Sequence, residues 1–203
     1  MKLKVCGMRA PQNIAALSAL SPDYMGFIFW EPSKRFVSQI TPALPSSIKK
    51  TGVFVDQSPD HILEIAALHQ LQALQLHGKE NPRDCQLLRA TGLEIIKAFS
   101  IDDAFDFDAL APYESVCDYF LFDTKGPLPG GNGRRFDWSV LKRYPSQKPF
   151  FLSGGIGPED HKTIASIISL NLPLYALDIN SRFETAPGLK NIESIKAFKA
   201  KIQ

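Results

Sequence analysis

Short apolar runs recur along the chain, and each is followed by a segment that carries its apolar residues on one helical face. Runs rich in β-branched, aromatic and leucine side chains indicate buried strands. Eight strands are predicted, at 2–7, 24–29, 50–55, 73–76, 94–99, 119–122, 149–152 and 175–179. Strands and helices are therefore expected to alternate along the whole chain.

Helix-start signals mark the segments between these strands. Proline follows Ser58, Asn81 and Gly157, where a first helical turn tolerates its missing N–H group. Helices are predicted at 13–20, 41–47, 58–68, 81–90, 102–110, 136–143, from 157 onward and at 192–202. Each predicted strand thus has a helix after it.

Strict alternation of strands and helices predicts a parallel sheet with right-handed crossovers. Eight units favour a closed (β/α)8 TIM barrel, and residues 1–203 are expected to form one domain. The alternative is an open doubly wound sheet. It is disfavoured because no G-x-G-x-x-G motif follows the first strand and eight strands exceed its usual five or six.

Composition narrows the partners and the compartment. A net charge of +2 and the lack of a basic run argue against a nucleic-acid partner. No apolar run approaches the length of a membrane span, and the immediate first strand argues against a signal peptide. Cys6, Cys85 and Cys117 are odd in number and lack C-x-x-C spacing, so we expect no metal site, no disulfide and a cytoplasmic setting.

The sixth strand ends in Asp123, which precedes a loop rich in glycine and proline at 126–133. Active sites of (β/α)8 barrels lie at the carboxyl ends of the strands, so Asp123 is a candidate acid. It could equally cap the backbone of the turn.

Three further strand-end residues are candidates for the same site. Cys6 is a possible base if nearby positive charge, such as Lys4 or Arg9, favours its thiolate, but free cysteine also serves as a small core residue. His77 is either a substrate ligand or a turn residue. Arg35 can bind a carboxylate or be a solvated loop charge. The other histidines fall in predicted helices and are expected at the surface: His61, His69 and His161.

Side chains alternate between the two faces of a strand, which groups these candidates further. Cys6 shares a face with Lys4, and Asp178 shares one with Asn180. Because strands one and eight become neighbours when a barrel closes, Lys4 is predicted to contact Asp178 across that seam.

A phosphate site is predicted at the ends of strands seven and eight. The candidates are Gly154, Gly155, Asn180 and Ser181, because barrels often bind phosphate with these loops and a short extra helix. The segment 181–188 is long enough for that helix. The alternative is that the glycines only form tight turns.

Taken together, these motifs resemble the phosphoribosylanthranilate isomerase family of tryptophan biosynthesis. The matching segments are Lys4-Val-Cys-Gly-Met-Arg9, Gly26-Phe-Ile-Phe29, Ser33-Lys-Arg-Phe-Val37, Gln75-Leu-His-Gly78, Leu121-Phe-Asp-Thr124, Gly130-Gly-Asn-Gly133, Phe136-Asp-Trp138, Ser153-Gly-Gly155 and Pro187-Gly-Leu-Lys190. They span nearly the whole chain, in the order found in the family. One departure is Arg182, where the family often has glycine.

The resemblance implies a barrel without cofactor that isomerises a phosphosugar, a small-molecule substrate. It implies that Asp123 is the acid and Cys6 the base, that Arg35 holds the anthranilate carboxylate, and that His77 and Asp178 contact the substrate. It also implies that Gly154, Gly155, Asn180 and Ser181 bind the phosphate. A monomer or a homodimer is expected.

Two other functions compete with this one. An indole-glycerol-phosphate synthase would need a catalytic lysine and glutamate pair at the strand ends, which the sequence does not clearly present. A non-catalytic phosphosugar-binding barrel would have lost the acid or the base, yet Cys6 and Asp123 are both present.

Overall fold

A computed structural model describes residues 1–124 and 137–202. Within these residues eight parallel strands close into a barrel, and each strand pairs with the next along the chain. The strands are β1 Lys2–Val5, β2 Tyr24–Ile28, β3 Lys49–Phe54, β4 Ala73–Leu76, β5 Glu94–Ile101, β6 Tyr119–Thr124, β7 Phe150–Leu152 and β8 Leu174–Ile179. Strand β1 also pairs with β8, with Lys4 opposite Asp178. The predicted closed barrel is confirmed, and the open sheet is excluded.

Helices cover the outside of the barrel. Within the described residues the α-helices are α1 Pro11–Ser18, α2 Pro59–His69, α3 Pro82–Arg89, α4 His161–Ile168 and α5 Ile192–Ile202. Ser58 and Asn81 cap α2 and α3, because their side-chain oxygens accept hydrogen bonds from the amides of His61 and Asp84. Pro59 and Pro82 occupy the first turns of α2 and α3, as the sequence predicts.

Three predicted helices are corrected. Residues 41–47 form no helix, because Pro42 and Pro45 lack an amide donor and restrict the residue before each of them. The helix predicted at 102–110 is a 3₁₀ helix at Phe107–Tyr113, capped by Asp106. The helix predicted at 136–143 is a 3₁₀ helix at Trp138–Arg143. The glycine-rich loop at 126–133 and Phe136 lie outside the described residues.

A short antiparallel hairpin follows β8, and no pattern in the sequence predicts it. It consists of β9 Glu184–Ala186 and β10 Leu189–Lys190, joined by a turn at Pro187 and Gly188. Gly188 has φ +82°, a left-handed conformation that glycine adopts without strain. The hairpin returns the chain to the barrel mouth, and its residues enter the site described below.

Aromatic rings fill the amino-terminal end of the barrel interior. The ring of Tyr24 meets Phe151 edge to face at 5.2 Å, and Tyr119 stacks on Tyr175 at 4.4 Å. Polar side chains occupy inward positions nearer the carboxyl end of the strands and are buried there: Lys4, Gln75, Asp123 and Asp178. These inward polar side chains therefore lie together at one end of the barrel.

His69 is buried, which corrects its expected surface position. Its Nδ1 accepts a hydrogen bond of 3.3 Å from the amide of Thr41, in the segment that was predicted to be helical. In the part of the chain that is described, no helix is both long and apolar enough to cross a membrane.

Candidate active site

Cys6 lies at the carboxyl end of β1 with its sulfur directed toward β2. Its amide donates to the carbonyl of Ile179 at 2.9 Å, which extends the pairing of β1 with β8. A Cβ atom on Gly26 would lie 2.8 Å from Sγ of Cys6, so the glycine makes room for the sulfur. Only 4% of Cys6 is exposed. The thiol therefore shares the inner face of the barrel with Lys4, as strand alternation predicts.

Lys4 and Asp178 form a buried ion pair with Nζ 2.9 Å from Oδ2, and the predicted seam contact is confirmed. Burial is the largest single effect and opposes the charge on Lys4, but Asp178 and Cys6 together outweigh it and raise the pKa of Lys4. Among residues 1–124 and 137–202, Oδ1 of Asp178 has no hydrogen-bond partner. That oxygen is available to accept a hydrogen bond from a bound hydroxyl group.

Asp123 stands at the end of β6 and is held from two sides. Its Oδ1 accepts a hydrogen bond of 2.9 Å from the amide of Thr124, and its Oδ2 lies 3.2 Å from Nε2 of His77. Nδ1 of His77 is in turn 2.6 Å from Nε2 of the Gln75 side chain. With the Gln75 amide donating to Nδ1, the proton of a neutral imidazole sits on Nε2 and faces Asp123. His77 is thus an orienting neighbour of Asp123.

The environment of Cys6 combines burial with positive charge. Burial raises the pKa of the Cys6 thiol, and the ammonium groups of Lys4 and Lys190 lower it by less. Arg9, the other cation considered for this role, donates from Nη1 to the carbonyl of Lys34 at 3.3 Å. Lys190 was not predicted as a site residue, although it ends the segment Pro187-Gly-Leu-Lys190 that carries part of the family resemblance.

Arg35 is bound edge-on by Glu184 of the hairpin. Its Nε lies 2.9 Å and 3.1 Å from the two carboxylate oxygens, and its Nη2 lies 2.6 Å from Oε2. The side chains of Arg35 and Glu184 are only 14% and 5% exposed. The alternative of a solvated loop charge is therefore wrong for Arg35. Glu184 gave no signal in the sequence, because 149 residues separate it from Arg35.

The candidate phosphate residues lie at the ends of two paired strands, because Leu152 of β7 is opposite Leu177 of β8. Gly154 and Gly155 have φ values of +88° and +71°, so both need a residue without a Cβ atom. A Cβ atom on Gly154 would also lie 2.7 Å from the amide nitrogen of Thr124. The missing side chain lets the backbone of Gly154 pack closely against the end of β6.

Asn180 and Ser181 follow β8, and the extra helix predicted at 181–188 is corrected to a single 3₁₀ turn, Ser181–Phe183. The hairpin replaces its remainder. Oδ1 of Asn180 accepts a hydrogen bond of 2.6 Å from Nζ of Lys190, so that oxygen is already occupied. Arg182 forms an ion pair with Glu159, which offsets its charge beside the loop.

Comparison with known proteins agrees with this geometry. The family model of N-(5'-phosphoribosyl)anthranilate (PRA) isomerase matches residues 3–201. The N-(5'-phosphoribosyl)anthranilate isomerase of Parabacteroides distasonis is 47% identical over 205 residues, covering 98% of this chain and 91% of that protein. That of Phocaeicola vulgatus is 43% identical over 208 residues and covers all of both chains.

Solved structures show the same architecture. The phosphoribosyl anthranilate isomerase of Thermotoga maritima superposes with a TM-score of 0.86 at 33% identity, covering 100% of this chain and 98% of that one. A phosphoribosyl anthranilate isomerase in complex with reduced 1-(o-carboxyphenylamino)-1-deoxyribulose 5-phosphate has a TM-score of 0.80 at 30% identity, with the same coverage. The chain described here belongs to the N-(5'-phosphoribosyl)anthranilate isomerase family.

Proposed function

We infer that this chain catalyses the Amadori rearrangement of N-(5'-phosphoribosyl)anthranilate to 1-(o-carboxyphenylamino)-1-deoxyribulose 5-phosphate, a step of L-tryptophan biosynthesis. Besides family membership, one observation carries this function: Cys6 follows β1 and Asp123 lies on β6, both at the carboxyl end of the barrel, and both interact electrostatically with Asp178 of the buried pair Lys4–Asp178. The rearrangement needs an acid and a base at two places on one sugar, and the mouth offers both.

The first step requires an acid at the ring oxygen of the ribose. Asp123 is the proposed donor: its proton passes to the ring oxygen, the C1–O bond breaks with its electron pair going to that oxygen, and the lone pair of the anthranilate nitrogen, already bonded to C1, forms the C=N bond of a protonated Schiff base. Two contacts fix the direction of the Asp123 carboxyl group, one with Nε2 of His77 and one with the backbone amide of Thr124. Groups that are held in this way contribute typically about 10² to 10⁴-fold to the rate.

The second step requires a base at C2 of the opened sugar. The thiolate of Cys6 is the proposed base: it removes the C2 proton, and the electron pair forms the enolamine that tautomerises to the ketone. Both steps are proton transfers, so side chains alone can provide them. Lys4 and Lys190 favour the thiolate at the position where the base is needed.

The ends of the substrate define the remaining proposed roles. Arg35 is proposed to bind the anthranilate carboxylate, and Asp178 to accept a hydrogen bond from a sugar hydroxyl through Oδ1, which has no partner among the described residues. His77 is proposed to contact substrate beside Asp123. The phosphate is proposed to lie on the backbone at Gly154, Gly155, Asn180 and Ser181.

Substitution of the acid and of the base tests this function. N-(5'-phosphoribosyl)anthranilate is generated in solution, and the loss of anthranilate-type fluorescence is followed after protein is added. The wild-type chain is expected to accelerate the loss. Cys6→Ser and Asp123→Asn are each expected to reduce kcat by about 10² or more while the reduced product analogue still binds.

Two results would contradict the proposal. Near-normal turnover by either variant removes that residue from its role. Binding of the analogue without any turnover by the wild-type chain would favour a non-catalytic phosphosugar-binding barrel instead.

The proposal also covers the cellular compartment, the domain organisation and the oligomeric state. The three cysteines are free thiols, which fits a reducing, cytoplasmic setting. One domain over residues 1–203 stays a prediction. A monomer or a homodimer is proposed, and the solved relatives include monomers generated from a dimeric enzyme of Thermotoga maritima, with a TM-score of 0.79 at 29% identity over 100% of this chain and 98% of that one.

A further inference from the structure

The guanidinium group of Arg35 is fixed on one edge by a carboxylate, and within the described part of the chain its other edge donates no hydrogen bond. Glu184 takes the edge formed by Nε and Nη2. Among the hydrogen bonds of residues 1–124 and 137–202, none uses Nη1 of Arg35 as a donor. Nη1 and the second hydrogen of Nη2 together form a fork that matches a planar carboxylate.

Glu184 is itself held rigidly in its charged form. Its Oε1 accepts hydrogen bonds of 2.6 Å from Nζ of Lys190 and 3.0 Å from the amide of Gly188. Burial alone would favour protonation, but Arg35 and Lys190 outweigh it and lower the pKa of Glu184. A buried carboxylate with this many donors has little freedom to move.

The same cluster reaches the other end of the proposed substrate site. Nζ of Lys190 donates to Oδ1 of Asn180 at 2.6 Å, and Asn180 belongs to the proposed phosphate loop. A Cβ atom on Gly7 would lie 2.7 Å from both Cδ of Arg35 and Oδ1 of Asn180. Arg35, Glu184, Lys190 and Asn180 therefore form one continuous contact chain around the residue that follows Cys6.

We propose that Glu184 is a positioning residue, which holds the free edge of Arg35 toward the substrate carboxylate and thereby sets the preference for a carboxylated aromatic amine. This rests on the proposed function, because it requires Arg35 to bind that carboxylate. A freely rotating arginine would have to lose side-chain freedom on binding, whereas the Glu184 contact has already ordered it.

The test measures binding of two ligands by calorimetry. One is reduced 1-(o-carboxyphenylamino)-1-deoxyribulose 5-phosphate, and the other is the same compound made from aniline, which lacks the carboxylate. The wild-type chain is expected to prefer the carboxylated ligand. Glu184→Gln is expected to reduce this preference about tenfold, while the affinity for the ligand made from aniline changes by less than about threefold. A general loss of structure would weaken the binding of both ligands instead.

A double-mutant cycle assigns the effect to Arg35. In the Arg35→Ala background, Glu184→Gln is expected to have no further effect on the preference, because the group it positions is gone. Glu184→Asp keeps the charge but shortens the side chain, so it is expected to fold and to lose part of the preference. Glu64→Gln, on the exposed face of α2, is the matched control.

Three outcomes overturn the proposal. Equal weakening of both ligands by Glu184→Gln would make Glu184 a structural residue only. Persistence of its effect without Arg35 would show that it acts through another group. If the wild-type chain turns over the substrate but binds both ligands equally, Arg35 does not bind the carboxylate, and the isomerase function stands. If the wild-type chain shows no turnover, the isomerase function itself is refuted.

Discussion

At the scale of single residues, the proposed base illustrates two opposing physical effects. Removing Cys6 from water disfavours its thiolate, while two ammonium groups favour it. Burial is the larger effect, so the Cys6 thiol has a raised pKa. A base with a raised pKa holds its proton more firmly and, once deprotonated, also removes a proton more effectively.

The pH dependence of kcat/KM follows from this direction. The thiolate is the reactive form, so kcat/KM is expected to rise on the alkaline side as Cys6 loses its proton. Lys190→Met removes a cation that lowers the pKa of Cys6, so the alkaline rise is expected to move to higher pH. Lys196→Met, on the exposed face of α5, is expected to leave the profile in place.

A pH–rate profile of the three proteins checks this expectation. An alkaline rise that does not move in Lys190→Met would contradict the influence of Lys190 on the thiol. A rise of the same shape in Cys6→Ser would assign it to another group.

At the scale of elements, the loops after the strands depend on positive φ and on close backbone approach. The turn after β7 brings Gly154 against Thr124 at the end of β6. Gly92, between α3 and β5, has a similar φ of +83° but open space around its Cα. The two glycines share a backbone conformation and differ in their surroundings, so they form a matched pair.

Alanine at these two positions separates backbone strain from crowding. Gly92→Ala is expected to cost about 1–2 kcal/mol in the free energy of unfolding, the usual cost of a left-handed alanine. Gly154→Ala is expected to cost more and also to weaken binding of inorganic phosphate, because the added methyl group displaces the loop. Urea denaturation and phosphate titration measure the two effects. Equal costs and unchanged phosphate binding would contradict the close-approach role of Gly154.

The elements also show where sequence patterns mislead. Apolar spacing over 41–47 suggests a helix, but two prolines deny it the backbone hydrogen bonds. The hairpin Glu184–Ala186 and Leu189–Lys190 is too short for a periodic signal, and its value to the site lies in side chains that reach back to Arg35 and Asn180. The strands, by contrast, were predicted well because each is a buried apolar run.

At the scale of the whole molecule, closure of the barrel buries a charge pair at its seam. Lys4 on β1 and Asp178 on β8 are both almost fully buried, and each neutralises the other. Removing one partner leaves the other charge buried and unpaired, which is far more costly than losing an exposed pair.

Substitution of the seam lysine tests this cost. Lys4→Met is expected to lower the free energy of unfolding by about 3–5 kcal/mol, and the double variant Lys4→Met/Asp178→Leu is expected to recover most of that loss. Lys2→Met, on the same strand with a half-exposed side chain, is expected to cost about 1 kcal/mol or less. Chemical denaturation gives all three values. A cost for Lys4→Met no larger than for Lys2→Met would show that the seam pair contributes little.

The amino-acid sequence alone was enough to predict the alternation of strands and helices, the barrel, and the polar residues at the strand ends. These follow from local periodicity, and strand alternation even placed Lys4 beside Asp178 once closure was assumed. The folded chain was needed to show that Arg35 is held by Glu184, that Lys190 joins Glu184 to Asn180, and that burial outweighs positive charge at Cys6. Long charged side chains choose partners within a few ångströms in space, and closure brings together loops whose separation in sequence carries no record of that distance.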